Sequence, residues 1–256
     1  MAETFLIWKP ILIAALGGMI PSVIWLWFWL KEDKDSPEPN GLIALSFIGG
    51  MAIVYFVLPF QKLIASSITQ IMSVVDIITL GISALPPSEL TVRTIFWAFV
   101  EESAKYIVVF FIAFRSKFFD EPLDAVIYLI TVALGFAAME NSLYIFKDIA
   151  DGSNSVLLNG NMRFLGATIV HTVSSAVLGV AIALSFYMSW YIRGIMAFVG
   201  IATATLLHTH FNLSIMGSTG TFSALLVFSQ FWGAVIAIII LISLIKYLSR
   251  HKKQTT

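Results

Sequence analysis

Apolar residues occur along the chain in long runs that short polar stretches interrupt. Most runs reach about 20 residues, the length that an α-helix needs to cross the hydrocarbon core of a bilayer. The pattern therefore predicts an all-α protein, a polytopic transmembrane helix bundle of about eight spans. The predicted spans are residues 10–30, 41–60, 63–85, 91–114, 123–146, 162–188, 192–213 and 221–248.

The third segment, 63–85, is less clearly a span than the others. Its apolar residues recur at helical spacing, whereas polar residues such as Ser66 and Asp76 share another face. A helix of this kind either spans the bilayer with its polar face towards the bundle or lies in the membrane interface. We favour a span, which Pro86 and Pro87 then end.

Composition places the whole chain in the membrane. Of its 256 residues, 59% are hydrophobic and 12% are charged, whereas a soluble domain is about 25% charged. Residues 1–256 are therefore expected to form a single transmembrane domain, and the first run, which lacks a cleavable signal pattern, is expected to remain as a span. The zero net charge gives no indication of a nucleic-acid partner. Because cysteine is absent, any metal ion must bind His, Asp, Glu or water.

Lysine and arginine are distributed unequally between the two sides that eight spans define. Cytoplasmic loops carry an excess of these residues, so the richer side, which holds both termini, is predicted to be cytoplasmic. If segment 63–85 lies in the interface, the second half of the chain is inverted relative to the first, and the basic tail still favours a cytoplasmic C-terminus. The richer side carries nine, namely Lys9, Lys62, Arg115, Lys117, Arg193, Lys246, Arg250, Lys252 and Lys253. The other side carries five, namely Lys31, Lys34, Arg93, Lys147 and Arg163.

Three ionisable residues, Glu101, Glu102 and Lys105, lie in the middle of the apolar run 91–114. Each costs a few kcal/mol or more inside a bilayer unless it is paired or functional. Lys105 follows the two glutamates by four and three residues, so on a helix it can neutralise either one. A structural ion pair between packed helices explains one glutamate and leaves the second without an explanation.

Glu140, His171 and His208 lie in three other predicted spans, at nearly the same depth as Glu101. Because neighbouring spans run in opposite directions, all four side chains fall about 10–15 Å below one membrane surface. Imidazoles and carboxylates are typical ligands of zinc, and a catalytic zinc keeps one position open for water. A further carboxylate can then act as the base. We therefore predict that residues 91–213 form a four-helix catalytic core.

Other polar residues in this region have more varied interpretations. Asn212 shares a helix face with one of the two histidines and can polarise a substrate carbonyl. His210 points to the opposite side and is interpreted as a packing or interface residue. Arg163 is either an interface anchor or a support of the site. Ser174 and Ser175 are interpreted as small residues that allow close helix packing.

Four motifs in this region resemble those of the PrsW family of intramembrane metalloproteases, which belongs to a wider group with the CAAX prenyl endopeptidases. The resemblance covers about residues 96–212 and rests on all four motifs occurring in order at these spacings. Ala125 and Leu129 stand where glycines are common in the family. The motifs are Glu101-Glu102-Ser103-Ala104-Lys105, 124–128 with 134–144, Arg163 with 171–179, and 207–212.

The resemblance implies an endopeptidase of a bacterial or archaeal cell membrane that uses one zinc ion to cleave a membrane-anchored protein. In the best-known members this substrate is a single-span anti-sigma factor, cut at its first site on the extracytoplasmic side. Glu101 is preferred as the general base because Lys105 can neutralise Glu102, and Glu101 as a metal ligand is the alternative. The expected roles are metal ligand for Glu140, His171 and His208, catalysis for Glu101, Glu102 and Asn212, and structural support for Lys105, Arg163 and Asn141.

A non-enzymatic interpretation uses the same polar residues. Carboxylates and histidines also relay protons through membranes, so the cluster fits an ion or proton pathway, or a membrane scaffold that retains it. A transporter commonly has broken helices in paired halves, and the sequence shows none. Besides the substrate, the lipid bilayer is the expected partner, and the oligomeric state is left open.

Overall fold

The computed structural model describes residues 2–34, 36–78, 88–152, 166–218 and 221–255. The all-α prediction is confirmed for this part of the chain, which contains eight α-helices, one short 3₁₀ helix and no β-strand. The α-helices are α1 (Ala2–Leu30), α2 (Asn40–Ser66), α3 (Ile68–Ile78), α4 (Glu89–Ile112), α5 (Pro122–Ala150), α6 (Ala167–Leu184), α7 (Trp190–Met216) and α8 (Thr221–Thr255), and the 3₁₀ helix is Lys31–Asp33.

Six helices in the described ranges are long and apolar enough to cross a membrane. The chain is thus an integral membrane protein, as the apolar runs predict. Helix α4 has 24 residues, which suffice for a span. It is not among the six because Glu101, Glu102 and Lys105 interrupt its apolar run. These three side chains are buried inside the bundle. The six helices are α1, α2, α5, α6, α7 and α8.

The segment 63–85 begins differently from the prediction. Its first residues complete α2, which continues to Ser66, and the helix that follows Ser67 has 11 residues in the described part of the chain. A span needs about 20 residues, and residues 79–85 lie outside the described ranges.

Trp97 in the first half of α4 and Glu101 at its middle form hydrogen bonds with Gln61 near the end of α2, so α4 begins on the side of the bundle where α2 ends. These contacts favour an interfacial helix over a span for the segment between α2 and α4. The two termini then lie on opposite sides, in agreement with the ion pair between Lys246 of α8 and Glu32 at the end of α1.

Helix α5 occupies the centre of the bundle, with α1, α2 and α6 packed against it. In its most apolar window 94% of the residues are buried. The helix begins at Pro122, and the Asp124 carboxylate accepts hydrogen bonds from the backbone N–H groups of Asp120 and Glu121 at 2.9 and 2.7 Å. A carboxylate at this position satisfies donors that the first turn of a helix leaves without partners.

Helices α2 and α5 cross in backbone contact through two glycines. A Cβ atom added to Gly50 would lie 2.1 Å from the Val132 carbonyl oxygen, and one added to Gly135 would lie 1.9 Å from the Phe47 carbonyl oxygen. Both distances are far below van der Waals contact, so only glycine permits this approach. The crossing fixes α2 beside the helix that carries Glu140.

A polar cluster joins the 3₁₀ helix and the loop after it to the beginning of α5. The Tyr128 hydroxyl donates to Glu38, and Glu38 also shares a hydrogen bond with Asp124. A hydrogen bond between two carboxyl groups needs a proton on one of them. Because Asp124 precedes Glu140 by 16 residues on one helix, this cluster lies roughly 24 Å from Glu140 along α5.

Candidate metal centre

Four helices bring the sequence-predicted ionisable residues together in the interior of the bundle. Helix α4 contributes the Glu101–Lys105 stretch, and α5, α6 and α7 contribute Glu140, His171 and His208. The side chains of His171 and Glu140 are in direct contact, and the His171 and His208 rings lie 4.9 Å apart between centroids. Glu140 is the most exposed of the set, with 21% of its side chain accessible.

Glu102 is fully buried, and both of its carboxylate oxygens accept hydrogen bonds. Oε1 accepts from Lys105 Nζ at 2.7 Å and from His208 Nδ1 at 2.9 Å, and Oε2 accepts from Ser175 Oγ at 3.1 Å. Since a carboxylate only accepts, His208 Nδ1 carries a proton and the lone pair of this imidazole is on Nε2. Glu102 thereby orients His208 with its basic nitrogen available.

His171 is held at both ring nitrogens. Its Nε2 lies 2.9 Å from Glu140 Oε2, and its Nδ1 lies 2.9 Å from Lys105 Nζ. Because Glu140 accepts and the Lys105 ammonium donates, the proton of the neutral ring is on Nε2 and the lone pair is on Nδ1. The basic nitrogen of His171 therefore points towards α4.

Glu101 has one oxygen engaged and one without a partner. Its Oε1 accepts from Gln61 Nε2 at 2.7 Å, whereas its buried Oε2 has no hydrogen bond. Oε2 lies 3.7 Å from His208 Nε2 and 4.0 Å from His171 Nδ1. A buried carboxylate oxygen without a partner costs free energy, and a cation between the three side chains would remove that cost.

The donor set fits a divalent ion. Within the described residues, Glu101, His171 and His208 form the group whose ligand atoms lie within 4.8 Å of one another. Zinc binds imidazole nitrogen and carboxylate oxygen at about 2.0–2.2 Å with tetrahedral geometry, which separates two ligands by about 3.3 Å. A contraction of up to about 1.5 Å would complete such a site. Lys105 donates to the same His171 nitrogen, so its ammonium would have to give up this hydrogen bond for an ion to bind, and the Glu102 carboxylate offsets its charge.

A cavity of about 570 Å³ opens beside these residues. Asn212 lines it together with Glu101 and Glu140, so the amide that the sequence singled out lies in the same cavity as the carboxylates. Most of the remaining wall is apolar, which suits a peptide segment delivered from the bilayer. The apolar wall includes Val54, Val57, Leu58, Phe136, Leu143, Phe211, Ile215 and Phe228.

The other sequence-predicted residues lie around this centre or outside it. Asn141 is buried and its Nδ2 donates to Thr168 Oγ1 at 3.2 Å, which ties α5 to the beginning of α6. His210 is exposed and lies near Gln230 of α8, away from the centre. Arg163 is outside the described residues.

Comparisons with known proteins identify the family of the chain. The model of the PrsW family of intramembrane metalloproteases matches residues 38–245, most of the chain. The chain belongs to this family. No solved structure matches it significantly.

Relatives that carry the name Protease PrsW include proteins of Geobacillus kaustophilus, Clostridioides difficile and Bacillus subtilis. The match with the Geobacillus kaustophilus protein is 28% identical over 163 residues and covers 64% of this chain and 62% of that protein. The match with the Clostridioides difficile protein is 25% identical over an alignment of 255 residues. It covers 93% of this chain and 92% of that protein. The Bacillus subtilis protein is 28% identical over 130 residues, which cover 50% and 52% of the two chains. This PrsW-family chain thus aligns with less than two thirds of the Geobacillus protein and with nearly all of the Clostridioides protein.

Two residues of the centre were missed or misinterpreted from the sequence of this PrsW-family chain. Gln61 lies on α2, outside all four motifs, so the motifs do not indicate that it reaches the centre. Ser175 was interpreted as a packing residue, and it donates to Glu102. Its signal was available, since Ser175 follows His171 by four residues and shares its helix face.

Proposed function

We propose that the protein is an intramembrane endopeptidase that uses one divalent ion, zinc, to hydrolyse a membrane-anchored protein. The observation that carries this proposal is the buried Glu101 oxygen without a partner, which faces the basic nitrogens of His171 and His208. The adjoining cavity with its apolar wall is suited to an unfolded membrane segment. The resemblance suggests a single-span anti-sigma factor as the substrate.

Two assignments of the carboxylates follow from the residues. The motifs suggest Glu140, His171 and His208 as the ligands, with Glu101 as the base. The distances favour Glu101 as the third ligand, with Glu140 on the far nitrogen of His171. We propose the second assignment. It gives each histidine a carboxylate partner, Glu140 for His171 and Glu102 for His208, a pattern that fixes the tautomer of metal-bound imidazoles and raises their basicity.

A zinc ion held there would supply Lewis-acid activation of water and of the scissile carbonyl. The remaining steps belong to the side chains of the chain. A carboxylate takes the proton of the attacking water and returns it to the departing amine; in the proposed assignment this is Glu140, which lines the cavity. Asn212 donates its amide N–H to the carbonyl oxygen as negative charge develops there. We propose residues 91–213 as the catalytic core that contains these groups.

The experiment compares Glu101→Gln with Glu140→Gln in purified protein, by metal content and by cleavage of a single-span model substrate. We expect Glu101→Gln to lose most of the metal, because an amide is a far poorer ligand than a carboxylate. We expect Glu140→Gln to retain metal and to cleave at least about 10²-fold more slowly, the usual contribution of a general base. The reverse result would assign Glu140 as the ligand and Glu101 as the base.

The non-enzymatic alternative predicts a different outcome of the same experiment. An ion or proton pathway through these carboxylates and histidines requires neither bound zinc nor peptide cleavage. Wild-type protein that stays free of metal under metal-replete conditions and leaves all membrane-anchored test proteins intact would contradict the protease proposal.

A further inference from the structure

Gln61 is in contact with the candidate metal centre, although it lies outside the four motif-bearing helices. It is near the end of α2, and its side-chain N–H donates to Glu101 Oε1 at 2.7 Å. This distance is at the short end of the range for N–H···O hydrogen bonds. Gln61 also lines the cavity beside the centre.

This hydrogen bond determines which oxygen of Glu101 is available. With Oε1 held by the Gln61 amide, the carboxylate plane is fixed and Oε2 is directed at His171 and His208. Without a donor at position 61, the Glu101 side chain can rotate about its terminal torsion, which has a broad energy minimum. The amide orients the carboxylate without adding a charge, whereas a lysine or arginine would compete with a bound cation.

Gln61 is itself held in place by α4. The indole Nε1 of Trp97 donates to the backbone carbonyl oxygen of Gln61 at 3.2 Å. Trp97 precedes Glu101 by four residues, so both lie on the same face of α4. Two hydrogen bonds, one to the backbone and one from the side chain, thus join this residue of α2 to adjacent turns of α4.

We propose that Gln61 is a positioning residue, which orients the Glu101 carboxylate towards the two histidines and is in turn fixed by Trp97. The proposal rests on the proposed function, because it takes Glu101 as part of the catalytic centre. It adds α2 to the elements that build the centre. Loss of a group that orients a metal ligand typically lowers metal affinity 10–100-fold.

The test uses Gln61→Met and Gln61→Glu in the full-length protein. Methionine fills a similar volume without a donor, and glutamate keeps the shape but places a second carboxylate against Glu101. We expect zinc affinity, measured by competition with a chelator, to fall about 10–100-fold for Gln61→Met and further for Gln61→Glu. The absorption spectrum of the cobalt-substituted protein should also change. For cleavage, kcat should fall while KM stays within about 2-fold, since the substrate itself loses no contact.

Two controls separate positioning from packing. Gln70→Met is the same exchange at an exposed position of α3 and should leave zinc affinity and kcat unchanged. Gln61→Met added to Glu101→Gln should cause no further loss, because the partner of the hydrogen bond is already altered. Normal zinc affinity, cobalt spectrum and kcat in Gln61→Met would overturn the inference while the proposed function stands. Wild-type protein without bound zinc and without cleavage would overturn both.

Discussion

At the scale of single residues, the centre depends on which nitrogen of each histidine carries the proton. Glu102 fixes the proton of His208 on Nδ1, and Glu140 fixes that of His171 on Nε2. The unprotonated nitrogens then lie 3.7 and 4.0 Å from Glu101 Oε2, and that of His171 also accepts a hydrogen bond from Lys105. This arrangement explains why two glutamates are adjacent in the sequence: Glu101 faces the histidines, and Glu102 orients one of them while balancing Lys105.

We predict that His171→Ala and His208→Ala each remove most of the bound metal while the protein still inserts into the membrane. Each substitution deletes one of the three proposed ligands, and a site with two protein ligands binds zinc far more weakly. Metal content after dialysis against a weak chelator is the measurement. His210→Ala is the matched control two residues from His208 and should keep wild-type occupancy, because His210 lies on the exposed side of α7.

The sequence indicates which ionisable residues lie at one depth, but not which of them are in contact. Helical depth places Glu101, Glu140, His171 and His208 at one level because rise per residue is constant. Depth does not determine the rotation of each helix about its own axis, which decides whether Glu101 or Glu140 faces the two basic nitrogens. Gln61 could not be found in this way, since a single glutamine at the end of an apolar run is also typical of an ordinary membrane boundary.

At the scale of helices, the α2–α5 crossing determines how closely Gln61 of α2 and Glu140 of α5 approach the same centre. The crossing depends on Gly50 and Gly135, which leave no space for a methyl group. A side chain there must push the two backbones apart, because the atoms that it meets belong to the backbone and cannot rotate away.

We therefore predict that Gly135→Ala lowers the thermal stability and zinc affinity of the protein together. The added methyl group would start 1.9 Å from the Phe47 carbonyl oxygen, and overpacking of this kind costs about 1–3 kcal/mol or more. Unfolding in detergent and chelator competition are the measurements. Gly194→Ala on α7 has no atom within 4 Å of the new methyl group and should leave both unchanged or slightly raise stability. Equal thermal stability and equal zinc affinity of the two variants would contradict the argument that only glycine permits the α2–α5 crossing.

The loop between α1 and α2 should make stability depend on pH. Burial raises the pKa of Glu38 above its ordinary value of 4.5, and the charges of Asp33 and Asp120 act in the same direction, while hydrogen bonds from Tyr128 and Asp124 oppose the shift. The folded protein then binds more protons than the unfolded chain at pH values between 4.5 and the raised pKa. The free energy of unfolding contributed by Glu38 therefore falls as pH rises through this window.

We predict that Glu38→Gln removes this part of the pH dependence and raises the unfolding temperature at neutral pH. Glutamine accepts the hydrogen bond from Tyr128 and donates to Asp124 without needing a proton from solution. The measurement is the unfolding temperature in detergent from pH 4.5 to 8 for both proteins. If the unfolding temperature of the variant changed with pH as steeply as that of the wild-type protein, Glu38 would not titrate between pH 4.5 and 8.

At the scale of the whole molecule, we predict that the C-terminus is cytoplasmic and that the proposed centre lies nearer the other face. The prediction that both termini lie on one side is wrong, because Lys246 of α8 pairs with Glu32 at the end of α1. The side of the C-terminus carries the basic tail together with Lys31 and Lys34, an excess that favours the cytoplasm.

The chain has no cysteine, so Ser155→Cys and Thr256→Cys each introduce a unique thiol. A membrane-impermeant maleimide added to intact cells should label the variant at position 155 and spare that at 256. The opposite result would reverse the orientation.

The fold class could be predicted from the sequence because few structures other than a helix are possible for an apolar run of membrane length inside a bilayer. Two elements show the limits of that argument. The charged residues of α4 lower its hydropathy, and only its position between apolar runs indicates a span. Segment 63–85 has a pattern that suits both the interior and the interface, and polarity alone does not distinguish the two environments.

The position of α5 has a consequence for chemistry carried out from the lipid phase. A hydrophobic photoactivatable reagent dissolved in the acyl chains reacts with side chains that contact lipid. Leu12, Leu16 and Ile20 of α1 are about half exposed and should be modified, whereas Ile130 and Leu134 of α5 are fully buried and should not. Apart from its last turns, where Tyr144 and Phe146 are exposed, the most central helix of this membrane protein would therefore be missing from its labelling map, as if it belonged to the core of a soluble protein.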